Sequence, residues 1–230
     1  MLGRMTAKRT AQSARRSGAA PASAELRERI LSATRELLRE RRFDALSVAD
    51  ILTAAQISRA SFYFYFPSKQ AVLGELVREA VAQGQQAAEP WIDGRQDPAA
   101  ALRSGVSDGA RLWRANAGVL MAIVESWGSD EDLRALWLEQ MDLFTEAAAA
   151  RIRSDPDALR GLGDADVRAA AASLTWLGER LYYLAAAGVP PFDDEKVLID
   201  VLTNAWTSIL YGHAPTGHQP PPGAVSARPL

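Results

Sequence analysis

The 230 residues contain no cysteine, which excludes disulfides and thiolate metal sites and makes a reducing compartment the natural setting. Histidine is almost as scarce. The two present, His213 and His218, fall in a Pro/Gly-rich C-terminal stretch. The body of the chain therefore lacks the usual general base, the Ser–His pair and the core of most zinc constellations. Neither a GxxxxGK[ST] loop nor a GxGxxG turn after a strand occurs. No apolar run approaches the roughly 18 residues of a membrane span, and the N-terminal MLGRMTAKRTAQSARRSG has no apolar core that would make it a signal peptide. No catalytic residue, cofactor, resident metal or membrane partner is expected, and the cytoplasm is the expected location.

What is present is ample apolar content, 48%, and a divided charge. Residues 1–70 carry 13 Lys/Arg against 6 Asp/Glu, a balance of +7, whereas residues 71–230 carry 13 against 22, a balance of −9. A basic third on an acidic remainder suggests a nucleic-acid-binding module joined to a separate body. The expected division is a disordered basic segment over 1–23, a DNA-binding unit over 24–70, a helical domain over 71–212 and a disordered tail over 213–230. Arg4, Lys8, Arg9, Arg15 and Arg16 make the first segment either an arm that follows phosphates or a solubilising tail.

The stretch from Leu46 to Lys69, LSVADILTAAQISRASFYFYFPSK, organises the chain. Ser47 with Asp50 three residues on forms a capping box, and Ile51, Leu52 and Ala55 give a short helix its apolar face. Gln56-Ile57 breaks the pattern. Ser58 caps a second helix, and Pro67 stops it. Phe62 and Phe66, four apart, share the core face, so Tyr63 and Phe64 point away from it. Two short helices with a tight turn, the second rich in small, hydroxyl and basic groups, are the helix-turn-helix layout that lays a helix in the DNA major groove.

The run SRxSFYxYFxSK, from Ser58 to Lys69, resembles the DNA-binding signature of the TetR family of bacterial transcriptional regulators. The strong match covers about residues 25–75. Two positions depart from it: Gln56 stands where the family usually has glycine, and Tyr65 where it often has histidine. The resemblance implies that Ser61, Tyr63, Tyr65 and Lys69 grip phosphates, while Arg59, Ala60 and Phe64 lie near base edges; Ser47 joins them as a candidate contact. The chemistry agrees. Hydroxyls and an ammonium suit phosphate oxygens, Arg59 suits a guanine, and Phe64 suits a thymine methyl. Tyr65 has a second reading, as a partly buried packing ring.

Helical spacing and caps divide the chain into about nine helices with no strand, an all-α protein. Ser23 caps a helix to about Arg41. From Ser68 a helix reaches about Ala88, stopped at Pro90. Asp97-Pro98 starts one to about Arg114, and Gly118 to Trp127 is short and very apolar. Asp130 caps one to about Arg153, after which Asp155-Pro156 and glycines 161 and 163 are read as a loop. Asp164 caps a helix to about Ala187, and Asp193 caps the last, to about Tyr211.

Large rings and methionines concentrate in the C-terminal helices: Trp113, Trp127, Trp137, Trp176, Trp206, Met121, Met141, Phe144 and Tyr183. They either fill a core or line a cavity for an apolar ligand. A weaker resemblance to one member of the family, at a few positions, implies that Trp137, Met141, Phe144, Thr175, Gly178, Glu179 and Trp206 line such a pocket; Trp113 is added from the aromatic set. Thr175 and Gly178 stand where that member presents asparagine amides, which implies fewer polar anchors. An inward-facing Glu179 would need Arg180, a hydroxyl or the ligand as partner. Helices 164–187 and 193–211 carry Leu174, Leu177, Leu181, Leu184, Val197, Val201, Leu202 and Ile209 around much of their circumference, and the family forms its dimer there. The expected partners are a double-stranded DNA operator, a small hydrophobic effector and a second copy of the chain. The expected function is a DNA-binding transcriptional regulator, a repressor released from a palindromic operator by an apolar ligand. The rivals are an architectural DNA-binding protein on the same fold without an effector, and a small helical enzyme or carrier using the pocket without DNA.

Overall fold

The computed structural model describes residues 24–92 and 98–212, and among them every regular element is an α-helix. The expected arm over 1–23, the caps Ser23 and Asp97, both histidines and the tail over 213–230 lie outside the described residues. Ten helices follow in order: α1 (24–40), α2 (Val48–Ala55), α3 (Arg59–Tyr65), α4 (Lys69–Ile92), α5 (Pro98–Ala115), α6 (Ala117–Ser126), α7 (Glu131–Arg153), α8 (Pro156–Leu162), α9 (Val167–Ala186) and α10 (Glu195–Tyr211).

The tenth helix is α8, where a loop is expected. Asp155 accepts from the backbone N–H groups of Asp157 and Ala158, and Pro156 takes the first helical position, where no N–H is needed. The glycines do not break it. A Cβ on Gly161 would run into the Leu210 carbonyl, so glycine is what lets α8 lie against the end of α10. Other boundaries shift by a few residues. Helix α4 continues past Pro90 to Ile92, Asp166 rather than Asp164 caps α9, and Asp194 rather than Asp193 caps α10.

One apolar cluster joins the first three helices to the rest. Ile30, Leu31, Phe43, Leu46, Ile51 and Phe62 pack with Val72, Leu73 and Val77 of α4, and the same cluster continues through Val119, Leu120 and Ile123 of α6 to Leu133, Trp137 and Met141 of α7. Helix α4 is the common element. It packs on α5, α6 and α7, and Gly74 lets it lie close to Leu136. Ion pairs Arg27–Glu75 (2.5 Å) and Arg35–Glu79 (2.7 Å) tie α1 to the outer side of α4. The C-terminal body closes around α9, packed on α7, and α10, packed on α5, α8 and α9. No helix is long and apolar enough to cross a membrane among the described residues.

Candidate functional site

The exposed helix α3 is held from behind by contacts that leave its outer face open. Ser47 accepts from Asp50 N at 3.2 Å and Asp50 accepts from Ser47 N at 2.8 Å, the reciprocal box expected. Bonds from Ser47 and Arg41 hold the Asp50 carboxyl well below its ordinary range. Helix α2 ends at Gln56 in the left-handed conformation (φ 52°, ψ 50°), the geometry glycine takes freely. Arg29 of α1 answers that geometry by donating to the carbonyls of Ala55 (2.5 Å) and Gln56 (3.0 Å). Ser58 then caps α3, accepting from Ser61 N at 3.0 Å.

Phe62 is fully buried and Phe66 nearly so, whereas Tyr63 is 47% and Phe64 79% exposed. Arg59 is exposed beside Tyr63, its guanidinium 5.9 Å from the ring centroid, and Ala60 and Ser47 are exposed as well. Ser61 is half-buried, its hydroxyl 2.9 Å from that of Ser58. Tyr65 is half-buried against the core, its ring edge-on to Phe64, in keeping with its packing reading. An exposed Arg, two rings and hydroxyls on one short helix form a face that can meet phosphates and base edges.

Lys69 does not sit on that face. Its ammonium donates to the carbonyls of Leu46 (2.5 Å) and Phe43 (2.9 Å), with Asp44 at 3.5 Å, and lies 4.7 Å from the Phe43 ring. All three of its hydrogens face the loop between α1 and α2, so in this conformation Lys69 clamps that loop, and the expected phosphate grip would require its ammonium to turn outward. Neither this clamp nor that of Arg29 has a sequence signal, because both cross 23 or more residues to reach backbone carbonyls.

Helix α4 and the C-terminal helices line a cavity of ≈ 440 Å³. Trp113, Trp137, Met141, Phe144, Thr175, Gly178, Glu179 and Trp206, the eight expected pocket residues, all line it. The other rings go elsewhere. Trp127 and Trp176 pair with each other at 6.1 Å, and Tyr183 donates to Glu125 at 3.1 Å. The residue missed is Tyr182. It lines the cavity, stacks on Trp113 at 6.2 Å and donates to the Val106 carbonyl at 2.9 Å; burial pushes its hydroxyl pKa up. Glycines carry a signal of which only Gly178 was among the expected residues. Gly84, Gly105, Gly109 and Gly178 sit in helices, where glycine costs about 1 kcal/mol against alanine, and all four line the cavity. At Gly109 a Cβ would meet the Tyr182 hydroxyl at 2.6 Å, so that ring lies directly on the α5 backbone.

The wall is apolar with few polar groups. The Thr175 hydroxyl donates to Ala171 O within its own helix. Glu179 is buried, with Arg180 3.8 Å away; burial pushes its carboxyl above the ordinary range and Arg180 opposes that weakly. Trp137 has a buried indole N–H with no partner. A concave apolar space with a few convergent polar groups is the form of a small-molecule site. No group of three or more metal-ligating side chains occurs among the described residues.

Known proteins divide the chain along the same lines. The family described as "Bacterial regulatory proteins, tetR family" matches residues 30–76, and "Transcriptional regulator EthR, C-terminal domain" matches residues 102–212. The HTH-type transcriptional regulator EthR of Mycolicibacterium smegmatis is 29% identical over 215 residues, covering 92% of this chain and 98% of the relative. Its namesake from Mycobacterium tuberculosis is 29% identical over 199 residues, covering 80% and 86%. In fold, a TetR-family transcriptional regulator of Syntrophomonas wolfei superposes with a TM-score of 0.68 at 16% identity, covering 84% of this chain and 98% of that one. A transcriptional regulator from Rhodococcus superposes at 0.65 with 21% identity, covering 80% and 95%.

Proposed function

The chain belongs to the TetR family of transcriptional regulators and resembles EthR, and on that premise we propose that it is a homodimeric repressor released from a palindromic operator by a small apolar ligand. Residues 24–70 form the DNA-binding unit and 71–212 the ligand-binding and dimerisation domain. Arg59, Ala60 and Phe64 read base edges, and Ser47, Ser61, Tyr63 and Tyr65 position α3 on phosphates. No enzymatic role is proposed; the relatives are named as transcriptional regulators. An operator-binding protein works beside the chromosome, which supports the cytoplasm.

The observation that carries this reading is the double duty of α4. Its first turns pack under Phe62, while Val81 and Gly84 near its other end line the cavity. A ligand that needs more room at Gly84 moves the same rigid element on which the recognition helix rests. Dimerisation is supported by α9 and α10. Leu174, Leu181 and Leu202 are buried within the chain, whereas Val201 and Ile209, eight apart on one face of α10, remain 40% exposed. Two copies joined there would set their recognition helices roughly 34–36 Å apart, one turn of DNA. Full reversal from a bound to a released population requires the ligand to prefer the released conformer by about 5.5 kcal/mol.

Fluorescence anisotropy on the DNA upstream of its own gene, against scrambled DNA at two salt concentrations, tests the reading. Specific binding that weakens steeply with salt is expected, with Arg59→Ala losing specificity and Tyr63→Phe losing affinity on all sequences. Equal binding to specific and scrambled DNA would favour the architectural rival.

A further inference from the structure

Glu179 is the one acidic group among the residues lining the cavity, and no lysine, arginine or histidine lines it. Its side chain is 4% exposed. Arg180, its ion-pair partner among the described residues, comes no nearer than 3.8 Å, beyond hydrogen-bond reach, and its half-exposed head lies over the Tyr183 ring at 5.2 Å. The two hydroxyls in the wall are turned away as donors, Thr175 to Ala171 O and Tyr182 to Val106 O. A carboxylate left this way is costly to bury. The indole N–H of Trp137, another residue of the wall, is also buried without a partner. The wall around them is aromatic: Trp113, Trp137, Phe144, Tyr182 and Trp206. Ring faces attract a cation and tolerate an alkyl chain equally well.

We propose that the cavity selects an amphiphilic amine, an apolar body whose single protonated nitrogen docks on Glu179. This rests on the cavity being the effector site and names the chemical class of the effector. The ammonium supplies the donors that Glu179 lacks, and charge-assisted bonds in a desolvated site are the strong ones. The aromatic wall shields the chain and adds attraction to the charge. Because burial pushes the Glu179 carboxyl up, the empty cavity holds a proton there more readily than an exposed glutamate would. A guest cation favours the ionised carboxylate and releases that proton, whereas an anionic guest gains no charge pair there.

Decylamine, decanol and decanoate, each below its micellar concentration, share one chain and differ in the charge of the head. Binding to the full chain is read by calorimetry. Wild type is expected to take decylamine about tenfold or more tighter than decanol, the selectivity of a desolvated charge pair, with decanoate weakest. Glu179→Gln, whose fold is checked by circular dichroism, should bring amine and alcohol to within about threefold. Glu179→Met should do the same, so a single misfolded variant cannot decide the outcome. Equal affinity of wild type for amine and alcohol, or an amine preference that survives both variants, would overturn the inference and leave the cavity reading intact. Failure of all three probes to bind wild type would overturn the cavity reading itself.

Discussion

The turn between α2 and α3 and the space between α4, α5, α7 and α9 treat polar groups in opposite ways. At the turn Arg29 reaches across the unit to cap carbonyls, Lys69 does the same in the loop before α2, and Ser47, Asp50 and Ser58 cap the helix starts. Around the cavity, a carboxylate and an indole N–H are buried without a hydrogen-bond partner, and four glycines thin the helices α4, α5 and α9 along its wall. The first region is finished by the chain alone. The second is left open by the chain, and on the proposed reading a guest finishes it. A unit that must present one rigid face to DNA gains from satisfied caps, whereas a unit that must change population needs groups whose satisfaction depends on a guest.

The largest expected effect breaks the rigid side. Phe62→Ala removes the fully buried ring joining α3 to α4 and should lower unfolding free energy by about 3–5 kcal/mol in urea melts. Next is Gly109→Ala, whose methyl group collides with the Tyr182 ring; a loss of about 1–3 kcal/mol is expected, together with weakened ligand binding.

Glu179→Gln acts in the other direction and sharpens the comparison. A carboxyl whose folded pKa is raised destabilises the fold once pH exceeds its ordinary value of 4.5, and the penalty grows until pH passes the folded value. The variant should therefore melt higher than wild type at neutral pH, with the gap closing below 4.5. A variant that melts lower at neutral pH would mean that the carboxylate is satisfied by the protein. The smallest effect is at the turn: Gln56→Gly relieves a left-handed non-glycine residue and should stabilise by up to about 1 kcal/mol.

Local signals were legible in the sequence because each lies within a few residues. The Ser47–Asp50 box, the Ser58 cap and the Phe62/Phe66 face depend on spacing alone, and all three occur in the structure. Asp155-Pro156 carried the same start signal as Asp97-Pro98 but was overruled by the nearby glycines, whose reason, the close pass of Leu210, is a tertiary fact. Tyr182 and Tyr183 are adjacent on a helix and so point about 100° apart; only the packed phase of α9 decides which one reaches the cavity. The Lys69 clamp is not legible because a free ammonium and a clamping one have the same sequence.

The coupling between cavity and recognition helix is tested most directly by filling the cavity without a ligand. A Cβ at Gly178 meets only Tyr182 Cε2 at an ordinary 3.6 Å, so Gly178→Leu can add bulk there without striking backbone. Anisotropy on the upstream DNA, with a melting curve to show that the variant is folded, measures the consequence. A folded Gly178→Leu protein that binds this DNA about tenfold or more weaker than wild type is the expected result, a shift of about 1.4 kcal/mol toward the released conformer. A folded variant with its cavity filled and its DNA affinity unchanged would contradict the account.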